Sequence, residues 1–271
     1  PAAVDVVVVD APFGSATSHK VDVDDRHGLT VAGIIAGPDQ KTPVPIDVGI
    51  APRANVIDRW IYGLSTSGED PGPKPAVLAE RLNQIAREKN AQAGAGRRTI
   101  VLVPLQVERT DALVKAIDRL VASGVLVIAA AGDRTLEPWA TEFVDPDAAG
   151  EDAVATVWPA AHPGVVSVGV SAPESASQVL RNSGVDLAAP GTGAVSLGRN
   201  GGWCVVASVS THWAAAQVAG VAALIWSAHP QDSATDLRSR LERTASGNGE
   251  ARSPRTGYGV VQPLEALALT A

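Results

Sequence analysis

"ASVSTHWAAAQVAGVAALIW", residues 207–226, decides the fold. Its second half is apolar around the whole helical circumference, not along one stripe, which is the pattern of a helix buried inside a core. The polar residues ahead of it read as the loop that feeds the helix, so a helix is expected from Trp213 to Ala228. Such a helix needs other elements on every side. His212 stands at its entry, where unpaired backbone N–H groups concentrate positive potential.

The rest of the chain supplies the surroundings. Val4–Val9 is a β-branched run ending in Asp10, read as a strand buried on both faces. Further strands are expected at Ala54–Tyr62, Thr99–Leu105, Val125–Ala131 and Gly164–Val170. Helices are expected at Leu29–Ala36, Pro75–Lys89, Asp111–Ser123 and Ser233–Thr244. Repeated β-α-β units imply an α/β fold of three layers: a mostly parallel central sheet with helices on both faces. Residues 63–73 and 134–152, rich in Gly, Pro, Asp and Glu, read as surface loops because sheet elements continue on both sides. With 271 residues, 45% of them hydrophobic, one domain spanning 1–271 is expected.

Composition narrows the partners. A formal charge of −7 and a pI near 5.2 argue against nucleic acid or an anionic membrane. No apolar run reaches the ~18–20 residues of a membrane-spanning helix. Cys204 is the only cysteine, which rules out a disulfide within the chain and a multi-thiolate zinc site, and which fits a cytoplasmic setting. Pro1 in place of an initiating Met suggests that a segment upstream has been removed.

In parallel sheets the ligand site lies beyond the carboxyl ends of the strands. Asp10 and Asp133 both follow strand ends, and His27 and His212 both open apolar helices. Any one of them alone reads as a turn or cap residue. Gathered at one rim, two carboxylates and two imidazoles form an acid–base constellation.

Several segments, in order, resemble the subtilisin (subtilase) family of serine proteases: "HGLTVAGIIAG", "VGIAPRANVIDRWIYG", "ASGVLVIAAAGD", "WPAAHPGVVSVGV", "VDLAAPG" and "GYGVVQPLEAL". The wording of "HGLTVAGII", "WPAAHPGVVSVG" and "GYGVVQP" is similar to that of actinobacterial mycosins, subtilases associated with type VII secretion. The resemblance implies that Asp10 is the aspartate that orients the catalytic histidine and His27 the general base. It implies a nucleophilic serine six residues before Val218, where this sequence has His212. Recruiting Ser210 instead would need two extra residues at the start of a buried helix, a rotation of about 200°. The family's oxyanion-hole asparagine matches Asp133, and its substrate-binding Ser-Leu-Gly-Gly matches Pro104 to Val107, where Pro104 lacks an N–H and Gln106 adds bulk. Trp213 falls beside the nucleophile position and is expected to fill the pocket there.

Three readings follow. One is a protease scaffold without serine chemistry that binds a peptide or protein, with His212 capping its helix and hydrogen-bonding Asp133. The second is a repurposed site, either an imidazole acid–base pair or a Zn²⁺ or Fe²⁺ centre held by His27, His212 and Asp133 with Asp10 behind His27. The third is residual endopeptidase activity. The resemblance also permits a secreted or cell-envelope location, and it leaves the oligomeric state open. His19, His162 and His229 read as loop residues. Trp226 is expected in the core, and Trp139, Trp158 and Trp203 near loops. Asp22–Asp25 reads as a solvated acidic loop rather than a calcium site.

Overall fold

Alternation along the first strand sets the layers. In the computed structural model, β1 (Val4–Val8) turns Val4, Val6 and Val8 to one face of the sheet and Val7 to the other, and every residue of the strand is buried. The structure describes residues 4–11, 13, 27–37, 49–61, 73–92, 96–134, 152–171, 178–197, 203–247 and 251–270.

β1 is flanked by β2 (Asn55–Asp58) and β3 (Arg98–Val103), then follow β4 (Leu126–Ala130), β5 (Val165–Val170) and β6 (Leu187–Ala189). The order is β2-β1-β3-β4-β5-β6 and every pairing is parallel. Parallel neighbours require crossovers, and three of the helices lie in those that join the first four strands of the chain. The Val4/Val6/Val8 face is covered by α1 (His27–Ala36) and α4 (Thr211–Ala228), with α5 (Ala234–Thr244) and α6 (Pro263–Ala268) beyond. The opposite face is covered by α2 (Pro75–Ala91) and α3 (Asp111–Ala122). This is the three-layer subtilisin-like arrangement.

Helix ends follow local chemistry. Pro75 opens α2, where a missing N–H costs nothing. The Thr110 hydroxyl accepts the Leu113 N–H at 3.2 Å and starts α3. Ser233 and Asp236 form a capping box on α5. A two-stranded antiparallel ribbon of β7 (Val195–Leu197) and β8 (Trp203–Val205) lies against α1, with the Ser196 hydroxyl donating to the Thr30 carbonyl at 2.6 Å.

The structure amends the expected elements at several points. α1 and α4 each begin two residues early, at His27 and Thr211, so His27 and His212 lie within their first turns. β2 stops at Asp58, although Arg59 and Ile61 still donate to the Val8 and Asp10 carbonyls at 3.0 Å. β6, β7 and β8, three residues each, carry too short an alternation to read. Trp226 is in the core as expected, and Trp158 is buried as well, in the core on the opposite face of the sheet. His19, Asp22–Asp25, Tyr62 and Trp139 lie outside the described residues, as do nearly all of the two expected surface loops. Among the described residues no helix is long and apolar enough to cross a membrane.

Gly28 fixes how closely α1 approaches the end of β1. A Cβ there would lie 1.9 Å from the Ala11 carbonyl oxygen, a backbone atom that cannot swing away. Gly28→Ala is therefore expected to displace the start of α1 and cost about 1–3 kcal/mol, the usual range for overpacking. Denaturant unfolding checks this; an unchanged midpoint would mean that α1 does not depend on that contact.

Candidate functional site

Asp10 follows β1 by two residues and is fully buried. It faces α1, in step with Val6 and Val8. One carboxylate oxygen accepts the Ala11 N–H at 2.7 Å and the other meets His27 Nδ1 at 2.6 Å. An acceptor at Nδ1 puts a proton there and turns Nε2 outward. Asp10 and His27 thus form an oriented carboxylate–imidazole pair, available to any chemistry that needs a tautomer fixed.

His27 Nε2 faces another imidazole. His212 Nδ1 lies 3.0 Å away, with ring centroids 5.0 Å apart and the planes nearly perpendicular. One of the two nitrogens donates and the other accepts. Trp213 covers the His27 ring from a second side at 4.7 Å between centroids, and the Trp213 indole N–H donates to the Ser208 hydroxyl at 3.3 Å. His212 Nε2 is buried and, among the described residues, without a hydrogen-bond partner. Burial, the largest influence, holds the His212 imidazole below its ordinary value near 6.5; the Asp133 carboxylate opposes it and His27 adds to it. His212 is therefore neutral at neutral pH.

Asp133 comes from the turn after β4, where Gly132 takes φ +120°, a conformation open to glycine. Its carboxylate is committed to the start of α4. One oxygen accepts the Thr211 N–H at 2.8 Å and the Thr211 hydroxyl at 2.6 Å, and the other accepts the Ser210 hydroxyl. The Ser210 oxygen in turn accepts the His212 N–H at 3.0 Å. An anion at a helix N-terminus is a favourable arrangement, and here the anion is internal. Gln106 locks the Asp133 backbone from the far side: its carbonyl accepts the Asp133 N–H at 2.8 Å and its amide donates to the Asp133 carbonyl at 3.0 Å.

Asp10, His27, His212, Asp133, Gln106 and Trp213 are thus brought together at the carboxyl ends of β1, β3 and β4. Pro104 is buried and directly follows β3. The contact expected between His212 and Asp133 is corrected. The closest approach, His212 Nε2 to Asp133 Oδ2, is 3.8 Å, too long for a hydrogen bond. Three donors from Ser210 and Thr211 already occupy the carboxylate, and His212 turns to His27 instead. His212 is likewise not the helix cap; Ser210 is. Ser210 and Thr211 are the residues that sequence reasoning missed in this role. Their signal was a Ser-Thr pair directly ahead of an apolar helix. Among the described residues, no cluster of three His, Cys, Asp or Glu side chains has the geometry to hold a metal ion.

A family model for the Subtilase family matches residues 8–259, and the chain belongs to that family. Solved structures share the fold. MycP1 with its N-terminal propeptide removed is 24% identical with a TM-score of 0.73, covering 100% of this chain and 93% of that one. The MycP3 protease from the type VII (ESX-3) secretion system is 25% identical with a TM-score of 0.70, covering 99% and 84%. A cold-adapted subtilisin-like serine proteinase is 24% identical with a TM-score of 0.67, covering 94% and 87%.

Two outcomes are expected. Below pH 6.5 the unfolded His212 takes up a proton that the folded chain resists, so the unfolded state binds more protons and stability falls as the pH falls. Thermal melts of the native protein and His212→Asn across pH 5–8 check this; the variant should lose part of the acid-side slope, and identical slopes would contradict it. Asp133→Ala removes the acceptor for three donors and is expected to cost about 1–3 kcal/mol. Asp133→Asn, which keeps the shape and one acceptor oxygen, should recover part of that loss.

Proposed function

We propose that this subtilase-family chain does not cleave peptides by serine attack and acts as a single-domain binding protein for a peptide or protein partner. The observation that carries the reading is the Asp133 carboxylate on the N-terminus of α4. Serine-type acyl transfer places a negative oxygen against such donors, and one donor there is worth about 3–4 kcal/mol. A carboxylate in that place takes up the Thr211 N–H and repels the developing charge. The His212 N–H is taken by Ser210, and the base nitrogen of His27 by His212. The Ser210 hydroxyl is bonded to Asp133. The reading needs no metal, since the imidazoles bond each other and the carboxylate bonds the helix.

The 3.0 Å contact between His27 and His212 favours a second reading, an imidazole acid–base pair with a new substrate. The burial of His212 Nε2 weighs against it, because a reacting group has to reach that nitrogen or displace Trp213.

A fluorophosphonate probe should leave the protein unlabelled, and His212→Ser alone should not create peptidase activity, because Asp133 and Gln106 remain. Mass spectrometry after probe treatment reads both. Stoichiometric labelling of Ser208 or Ser210 in the native chain would overturn the proposal.

A further inference from the structure

On the face of the sheet away from this site, the C-terminal halves of α2 and α3 flank an open groove of about 450 Å³. Its lining is unusual for a chain of net charge −7. Arg87 and Arg119 supply two guanidinium groups, Asn83 and Asn90 two carboxamides, Ser123 a hydroxyl, and Ala86 and Ala122 two methyl groups. No carboxylate lines it. The acidic residues next in the chain to the two arginines bond elsewhere: Glu88 to Arg59 at 2.8 Å and Asp118 to His162 at 3.1 Å.

Among the described residues neither arginine is paired with a carboxylate. Among the described residues Arg87 makes no hydrogen bond or ion pair. Arg119 uses only one terminal nitrogen, which donates to the Asn83 side-chain oxygen Oδ1 at 2.8 Å. Asn83 is itself anchored, its amide donating to the Ala79 carbonyl at 2.9 Å. That chain of bonds holds the Arg119 fork in place and leaves its other N–H groups free. The helix C-termini here would oppose an anion, but their last carbonyls are partly taken, by the Ser123 and Gly124 N–H groups on α3 and the Gln92 N–H on α2. The Ser123 hydroxyl donates to the Leu120 carbonyl, so it adds no donor for a ligand.

We infer that this groove binds a multiply charged oxyanion, a phosphoryl-bearing ligand, through Arg87 and Arg119 with Asn90 beside them. Two forked guanidiniums match the paired oxygens of a phosphoryl group, and a groove without carboxylates leaves them uncompensated. The same chemistry fits a free phosphorylated small molecule and a phospholipid headgroup. The inference is independent of the reading given to the His27–His212 site.

Calorimetric titration of the whole chain with inorganic pyrophosphate tests it. Saturable binding is expected, weakened at least tenfold in Arg87→Gln and in Arg119→Gln and lost in the double variant. Arg243→Gln, an exposed arginine on α5, should bind as the native chain does. Competition by vesicles of phosphatidylcholine and phosphatidic acid in equal parts would assign the ligand to a headgroup, and its absence to a free ligand. No saturable binding, or an equal loss in Arg243→Gln, would overturn the inference. Unfolding midpoints of the variants, expected within a few degrees of the native chain, separate lost binding from lost fold.

Discussion

The Asp133 carboxylate on the N-terminus of α4 is the contact on which the rest of the site depends. α4 is the hub of one whole layer, packing on β1, β3, β4, β5 and β6 as well as on α1, α5 and α6. The free N–H groups at its start point into the rim, where leaving them unsatisfied is costly. Asp133 and Ser210 between them satisfy the Thr211 and His212 N–H groups. With those two bonds made, the start of α4 is fixed, and with it the position of the His212 ring against His27. The helix and the site are therefore one mechanical unit.

Much of the fold was legible because each layer leaves its own period in the sequence. The β-branched run at Val4–Val9 can only be a strand covered on both faces, and the all-round apolar stretch after Trp213 can only be a central helix. Family-like phrases then placed Asp10, His27 and Asp133 at one rim. What escaped was what depends on distance in the chain. Asp133 and Thr211 are separated by 78 positions, and nothing local says that one caps the other's helix. Gln106 read as an obstruction, yet in the structure it is a clamp, two hydrogen bonds on the Asp133 backbone. The strands of three residues escaped for a simpler reason: an alternation that brief is indistinguishable from a loop.

The mistaken expectation about His212 is instructive in the same way. A histidine near a carboxylate invites the pairing of the two, but a carboxylate has a finite number of lone pairs in reach. Ser210 and Thr211, being adjacent in the chain and on the same helical turn, reach Asp133 with little loss of side-chain freedom. The longer His212 ring extends past them to His27, which Asp10 and the close approach at Gly28 hold in place. Occupancy by the nearer donors decided the geometry.

The mutual bonding of Gln106, Asp133, Ser210, Thr211 and His212 also bears on how the chain answers substitution. Each group holds another: the clamp holds the carboxylate, the carboxylate holds the helix start, and the helix start holds the imidazole. Removing any one of them strips a neighbour of its partner, so the cost of one change depends on whether its neighbour is still there. Paired changes in this set are coupled and do not add, and the five residues respond to alteration as one cooperative cluster.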